Sequence, residues 1–464
     1  TFSLTSLTAS QGVKFTGQSS SYSGYSVAVG DLNNDNIQDV IIGAPNYGSG
    51  TGRIYIVTGS SSLITVTLPS SYVPIDGKSS NNAGFSLAVV DYNNDGKDDL
   101  IITGFLSSSS SNQLTYVLPG PITSSLSLAT SSPITISSQT SNSYWVGFSA
   151  STAGYMNSDM YEDFLLAGGQ VFLVYGAATL NSFSVPSGTS SGVIVFSTSA
   201  AATFVVDGGT DINGDNIPDL LFGNNLFTSN TGVVYLVYGS RSLSNLNLDS
   251  MTSTVGVTIS GISSGDRLGS SVAFLGDFNG DGNNDFAISA PYSGNGKVYI
   301  IFGLSGGAKY SSGIILSSLG SGGVIFTGST GQFGNSISSV ADVTNDGKCE
   351  VLIGNAVGSK VYLIYGTAST TSLSTSAIAT GGSGYEISGD TESVLTTFYT
   401  TSNLASGTNV FNDGNVALVI GTSGSSSNAG ITYLVKASAL FTSPTSQPSA
   451  QPSSQPSSQP SGQP

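Results

Sequence analysis

Histidine is absent from these 464 residues, and cysteine occurs once, at Cys349. The first absence removes the commonest general base and the commonest transition-metal ligand. The second excludes an intrachain disulfide, leaving a half-buried thiol or an intermolecular bridge. Charge is scarce too: 8% of side chains carry it, 11 basic against 27 acidic, for a net -16 and a pI near 4.1. An ordinary globular chain is about a quarter charged. So few Lys and Arg exclude a phosphate-reading surface, and nucleic acid with it. No apolar run reaches the roughly 18 residues of a membrane span. No Asn-x-Ser/Thr acceptor occurs, so attached sugar would be O-linked. The chain opens at Thr1 without Met, as expected after removal of a secretion signal.

What the chain does have is a repeat. DLNNDNIQD at 31 to 39 recurs as DYNNDGKDD at 91, YMNSDMYED at 155, DINGDNIPD at 211, DFNGDGNND at 277, DVTNDGKCE at 342 and NVFNDGNVA at 409, with a mean spacing of 63 residues. The copies follow a Gly turn and a short apolar strand, the Gly being paired with an aromatic in GYSVAVGD, GFSLAVVD and FGNSISSVAD. Each precedes an apolar strand such as DVIIGAP, a β-prone strand such as GRIYIVTG, and a closing strand such as YVPIDG. Four short strands per unit, punctuated by Gly and without helical period, predict an all-β, seven-bladed β-propeller over residues 1–441. The last unit lacks its fourth strand, while the chain opens with an orphan one at Val13 to Thr16. Docking that N-terminal strand on the last blade would close the ring and remove an open edge.

Within each complete loop, oxygen side chains occupy positions 1, 3, 5 and 9. Like-charged carboxylates crowded this way are favourable only around a cation, and calcium accepts six to eight hard oxygen ligands in flexible geometry. The expected ligands are Asp31, Asn33, Asp35 and Asp39; Asp91, Asn93, Asp95 and Asp99; Asp211, Asn213, Asp215 and Asp219; Asp277, Asn279, Asp281 and Asp285; and Asp342, Thr344, Asp346 and Glu350. Position 7 adds a backbone carbonyl, from Ile37, Lys97, Ile217, Asn283 and Lys348. The third loop has Tyr155 at position 1 but keeps Asn157, Asp159 and Asp163, a possible sixth site; the seventh keeps only Asp413 and should hold none. A metal-free polar turn is the plainer alternative. An EF-hand is not, because position 12 is Ile42, Ile102, Phe222, Ile288 or Ile353 where that motif needs a bidentate Glu. Positions 1, 5 and 9 of the seven loops account for 18 of the 27 acidic residues. Five Ca2+ ions would therefore take the formal charge from -16 to -6.

The aromatic-Gly turn, the D-x-[DN]-x-D-[GN]-x-x-D loop and the following Gly-Ala-Pro at Gly43 to Pro45, or Ser-Ala-Pro at 289 to 291, resemble FG-GAP repeats, the units of the integrin α-subunit propeller. The resemblance implies calcium between the first two strands of a blade, on an extracellular protein. The leg and membrane domains of such receptors and their ligand-reading loops have no counterpart in this sequence, so receptor function does not follow from the fold.

From residue 442 the composition becomes Ser, Gln and Pro, with Pro at 444, 448, 452, 456, 460 and 464. This stretch predicts an extended polyproline II tail of about 3.1 Å per residue. It resembles Ser-Gln-Pro-Ser repeats of secreted proteins in algae and related protists, and its composition suits O-glycosylation. Two roles fit: a secreted structural or adhesive subunit that self-associates through the tail into a filament or surface layer, or a module binding glycans or surface proteins. Tyr22, Tyr47 and Tyr292 are contact candidates for the latter, ordinary packing being the plainer reading. G-x-S-x-G occurs at 188–192, 261–265 and 303–307, but no histidine exists to activate those serines, so no enzyme is expected.

Overall fold

The computed structural model describes residues 2–441, apart from 69–71, 106–112, 139–145, 186–191, 200–202, 312, 358, 390–403 and 425–427. The Pro-rich tail at 442–464 and most of the 188–192 match lie outside the described residues.

Seven separate sheets follow one another along the chain, and each is built outward in sequence order from an inner strand, except that the outer strands of the sixth and seventh come from the start of the chain or the first blade's connection. In the first blade these strands are Ser26–Gly30, Asp39–Ala44, Arg53–Val57 and Val73–Asp76. The second strand is covered on both faces, which is why its middle is a continuous apolar run instead of alternating. All six residues of Asp39–Ala44 are buried, and the same holds for Asp99–Gly104, Asp163–Gly168, Asp219–Asn224 and Glu350–Asn355. The third strand sets one buried aromatic across from it. Tyr55 faces Ile42, Tyr116 faces Ile102, Tyr235 faces Phe222, Tyr299 faces Ile288 and Tyr362 faces Ile353. The residue that excludes an EF-hand is thus a partner of the blade's central ring.

The hydrophobic core lies between blades. One cluster joins Val40, Ile42 and Tyr55 of the first blade to Val419 and Leu434 of the seventh, and six more occupy the remaining junctions. No blade buries its apolar faces without both neighbours, so the ring has to close. It does so through Gly12–Thr16, antiparallel to Ile431–Lys436 with Gly12 opposite Val435 and Thr16 opposite Ile431. Phe2–Ser3 also pairs, in parallel, with the outer strand Gly384–Ser388 of the sixth blade. The start of the chain therefore seals two blades.

Blades are more than four-stranded. In six of the seven sheets a short parallel strand from a neighbouring connection covers the outer edge, for example Leu126–Ser127 on Val73–Asp76 and Val66–Thr67 on Gly12–Thr16; among the described residues the fourth blade has four strands. A helix at Thr375–Gly381 was not expected from the sequence. The Ser374 hydroxyl accepts from the Ala377 amide to cap it, and Gly382 at φ 77° ends it.

Candidate metal centres

Each acidic loop joins the first and second strands of a blade; the closing carboxylate is the first residue of the buried second strand at Asp39, Asp99, Asp163, Asp219 and Glu350, and immediately precedes it at Asp285. In the first loop Asp31 opens the turn: Oδ1 accepts from the Asp35 amide at 3.0 Å and Oδ2 from the Asn36 amide at 2.7 Å. Asp35 Oδ1 accepts from Ile37 N at 2.9 Å. The fully buried Asp39 accepts from Leu32 N at 3.1 Å and from Gly59 N, beyond the third strand, at 2.9 Å. The pattern repeats around Asp91, Asp211, Asp277 and Asp342, whose second oxygens accept from the position 6 amides of Gly96, Asn216, Gly282 and Gly347. Asp99, Asp219 and Asp285 likewise reach across to Gly120, Gly239 and Gly303 at 2.7 to 2.8 Å.

Two left-handed residues make the turn possible. Position 6 is Asn36 (φ 65°), Gly96 (77°), Asn216 (63°), Gly282 (88°) or Gly347 (84°), and position 4 is left-handed as well, at Asn34, Asn94, Gly214, Gly280 and Asn345. Asn and Gly tolerate this region, other residues poorly. The second requirement has a trace in the sequence, Asn or Gly at position 4, but its reason lies in the backbone angles.

In the sixth-blade loop three of the candidate residues converge, and among the described residues no other loop brings three acidic side chains as close together. Carboxylate oxygens of Asp342, Asp346 and Glu350 all lie within 4.8 Å of one another. Thr344 Oγ1 stands 3.1 Å from Glu350 Oε1 and 3.4 Å from Asp342 Oδ1. Burial, reinforced by the neighbouring acids, pushes Asp39, Asp99, Asp219, Asp285 and Glu350 each up to about 7, despite the backbone amides they accept from. Asn33 Oδ1 is buried without a hydrogen-bond partner among the described residues. An orphaned ligand oxygen beside carboxylates that resist ionisation together is what a hard cation would relieve. The residues present fit calcium. Lys97 and Lys348 offer backbone carbonyls at position 7, while their ammonium groups pair outward with Asp95 and Asp346 at 3.2 and 3.0 Å.

The two divergent loops differ in construction. Neither Ser158 nor Met160, at positions 4 and 6 of the third, is left-handed. Asn157 Nδ2 donates to Asp159 at 2.7 Å, and Asp163, pushed up to about 6 by burial, accepts from Met156 and Gly176. The Arg241 guanidinium donates to the carbonyls of Tyr155, at 2.5 Å, and Asn157. In the seventh, Asn409 Oδ1 accepts from Gly414 N at 2.9 Å in place of an aspartate, and Lys436 pairs with Asp413.

Other sequence candidates find ordinary surroundings. Tyr47 lies under the Arg53 guanidinium at 3.9 Å and Tyr292 under Arg267 at 4.5 Å; Tyr22 is half-buried at a left-handed position. Cys349 is a buried free thiol, pushed up to about 12 by that burial. Sequence reasoning missed Asp98 and Glu162, at position 8 of the second and third loops. Each touches the loop of the blade before it. An extra acid beside the closing carboxylate was the available signal. Among the described residues no helix is long and apolar enough to cross a membrane.

Parts of the chain match known proteins. The FG-GAP repeat family matches residues 23–57, 83–110 and 268–301, in the first, second and fifth blades. Integrin alpha-5 of Xenopus laevis is 31% identical over 239 residues, 49% of this chain and 21% of that protein. Integrin alpha-IIb of Homo sapiens is 34% identical over 167 residues, 34% of this chain and 15% of that one. The aligned stretches thus span about a fifth or less of these relatives' own length. A solved α-L-arabinanase of Penicillium chrysogenum, complexed with arabinobiose, superposes at a TM-score of 0.40 with 11% identity, covering 75% of this chain and 92% of that one. Three of the seven blades thus match the FG-GAP repeat, and stretches of the ring are similar to integrin α subunits.

Proposed function

We propose that this protein is an extracellular adhesion-type structural subunit whose ring is stiffened by calcium in five inter-strand loops. The observation that carries the reading is the recurrence of one turn, with paired left-handed residues and a buried closing carboxylate, in five blades of a propeller similar to those of integrin α subunits. The holding residues are the side chains at positions 1, 3, 5 and 9 with the position 7 carbonyls, from Asp31 to Asp39, Asp91 to Asp99, Asp211 to Asp219, Asp277 to Asp285 and Asp342 to Glu350. A bound cation would supply charge neutralisation and a rigid joint between first and second strands. The ion so held would be enclosed by protein oxygens, and the role is non-enzymatic.

The ring over 1–441 and the Ser/Gln/Pro tail over 442–464 are two functional parts. The tail, O-glycosylated, joins one ring to the next in a filament or layer; a repeated head-to-tail contact that does not close produces such polymers. Elemental analysis of the purified chain should find about five calcium ions per molecule. Electron microscopy should find polymers with the tail present and dispersed rings without it. Dispersed rings from the full chain at high concentration with calcium would reject the assembly. Integrin relatives favour a second reading, recognition of a surface protein or glycan on one face, which binding to cell-surface extracts by the tail-less ring would support.

A further inference from the structure

The acidic loops touch one another around the ring. Asp31, at the first position of the first loop, donates its amide to Asp98 Oδ2 of the second blade at 2.6 Å. Asp91, at the first position of the second loop, donates its amide to Glu162 Oε2 of the third blade at 3.0 Å, and Thr152 Oγ1 donates to the other oxygen of Glu162. Both acids sit one residue before a closing carboxylate, and neither pairs with a Lys or Arg among the described residues. The equivalent junctions later in the ring are uncharged and grip a carbonyl instead. Asn284 Nδ2 donates to Asp211 O and Cys349 N to Asp277 O, both at 2.9 Å, while Pro218 has no proton to give.

We propose that Asp98 and Glu162 are positioning residues, each holding the metal loop of the preceding blade by its first amide, so that cation occupancy of the second loop raises the affinity of the first. The inference rests on calcium occupying these loops. The first aspartate of a loop is the residue on which the turn is built, its two oxygens already committed to the amides of Asp35 and Asn36 in one case and of Asp95 and Gly96 in the other. Fixing its amide fixes where the turn begins. Asp98 lies between Lys97 and Asp99, at positions 7 and 9 of the second loop. Whatever orders the second loop therefore orders the group that orders the first. Outer contacts of this kind alter metal affinity by roughly 10- to 100-fold.

The test is hydrogen exchange read by mass spectrometry on the full chain across a calcium titration, with peptides covering each loop separately. Asp98→Ala should raise the calcium midpoint of residues 31–44 about tenfold, with the loops at 211–219 and 277–285 unmoved. Asp95→Ala, which disables the second cage but keeps Asp98, should raise the first-loop midpoint in the same direction. Asp98→Asn, which retains an oxygen to accept the Asp31 amide, should restore most of the affinity. An unmoved first-loop midpoint in either alanine variant overturns the proposal, as does an equal shift at every loop, which marks a fold-wide loss. If no loop of the parent chain responds to calcium, the metal reading itself falls, an outcome distinct from a response without coupling.

Discussion

The Lys436 ammonium stands 2.9 Å from the Asp413 carboxylate, in the one loop whose closing position is Ala417. A side-chain cation from the third strand serves there as the counter-charge, as Lys97 and Lys348 do for Asp95 and Asp346 from within their own loops, and it also lies 4.6 Å over the Phe411 ring. Asp413→Asn should leave the number of bound calcium ions unchanged in native mass spectrometry. Its melting temperature should fall by no more than a few degrees, since pairs with this much exposure contribute about 0 to 1 kcal/mol. Loss of one calcium would place a metal in the seventh loop and overturn the assignment of Lys436 as its counter-charge.

A complete cage should respond oppositely with and without metal. Asp281 is exposed at position 5 of the fifth loop and stands near Asp277 and Asp285. In calcium, Asp281→Asn removes a ligand, so one ion should be lost and the melting temperature should drop. In metal-free buffer the same change removes a like charge from beside the buried Asp285, so the melting temperature should stay or rise. A drop of equal size in both buffers would make Asp281 a structural residue only.

The closing carboxylates set a pH dependence with a definite sign. Asp39, Asp99, Asp219, Asp285 and Glu350 are pushed up to about 7 in the folded ring, chiefly by burial, while unfolded carboxyls titrate near 4. Between those values the folded chain holds more protons than the unfolded one, so stability must fall as pH rises. Metal-depleted protein should melt highest near pH 5 and lose stability steadily through pH 8. Saturating calcium should flatten or reverse that slope, because the ion stabilises the ionised form. A metal-free ring that gains stability between pH 5 and 8 would show that the burial penalty is offset by other means.

Much of this molecule is legible in its amino-acid sequence, and the boundary of what is legible has a physical cause. Strands such as Asp39–Ala44 and Arg53–Val57 can be read because burial on both faces imposes an apolar run and hydrogen bonding imposes a Gly-rich turn at each end. The acidic loops can be read because every candidate ligand comes from nine consecutive residues. The parallel edge strands cannot: Leu126–Ser127 and Phe2–Ser3 are two residues long, too short for any period. The link from Asp31 to Asp98 spans 67 residues and depends on how adjacent blades are rotated. Arg241, which crosses from the fourth blade to the third loop, is invisible in the sequence for the same reason.

Ring closure is the remaining point at which a local change has a global effect. Phe15 is fully buried between the seventh and first blades, edge-on to Tyr72 with ring centroids 5.8 Å apart, and sits in the strand that completes the seventh blade. Phe15→Ala should cost about 3 to 5 kcal/mol, with a melting transition that is lower at every calcium concentration. Phe2, half-buried and held by a two-residue parallel pairing on the sixth blade, should cost much less when truncated the same way. The two effects should differ in where they appear. Phe15→Ala should raise hydrogen exchange in residues 416–436 and 26–44 together, because both blades pack on that ring, whereas Phe2→Ala should loosen 384–388 alone. Comparable destabilisation by both variants would mean that the first residues of the chain, rather than the strand at 12–16, carry the closure.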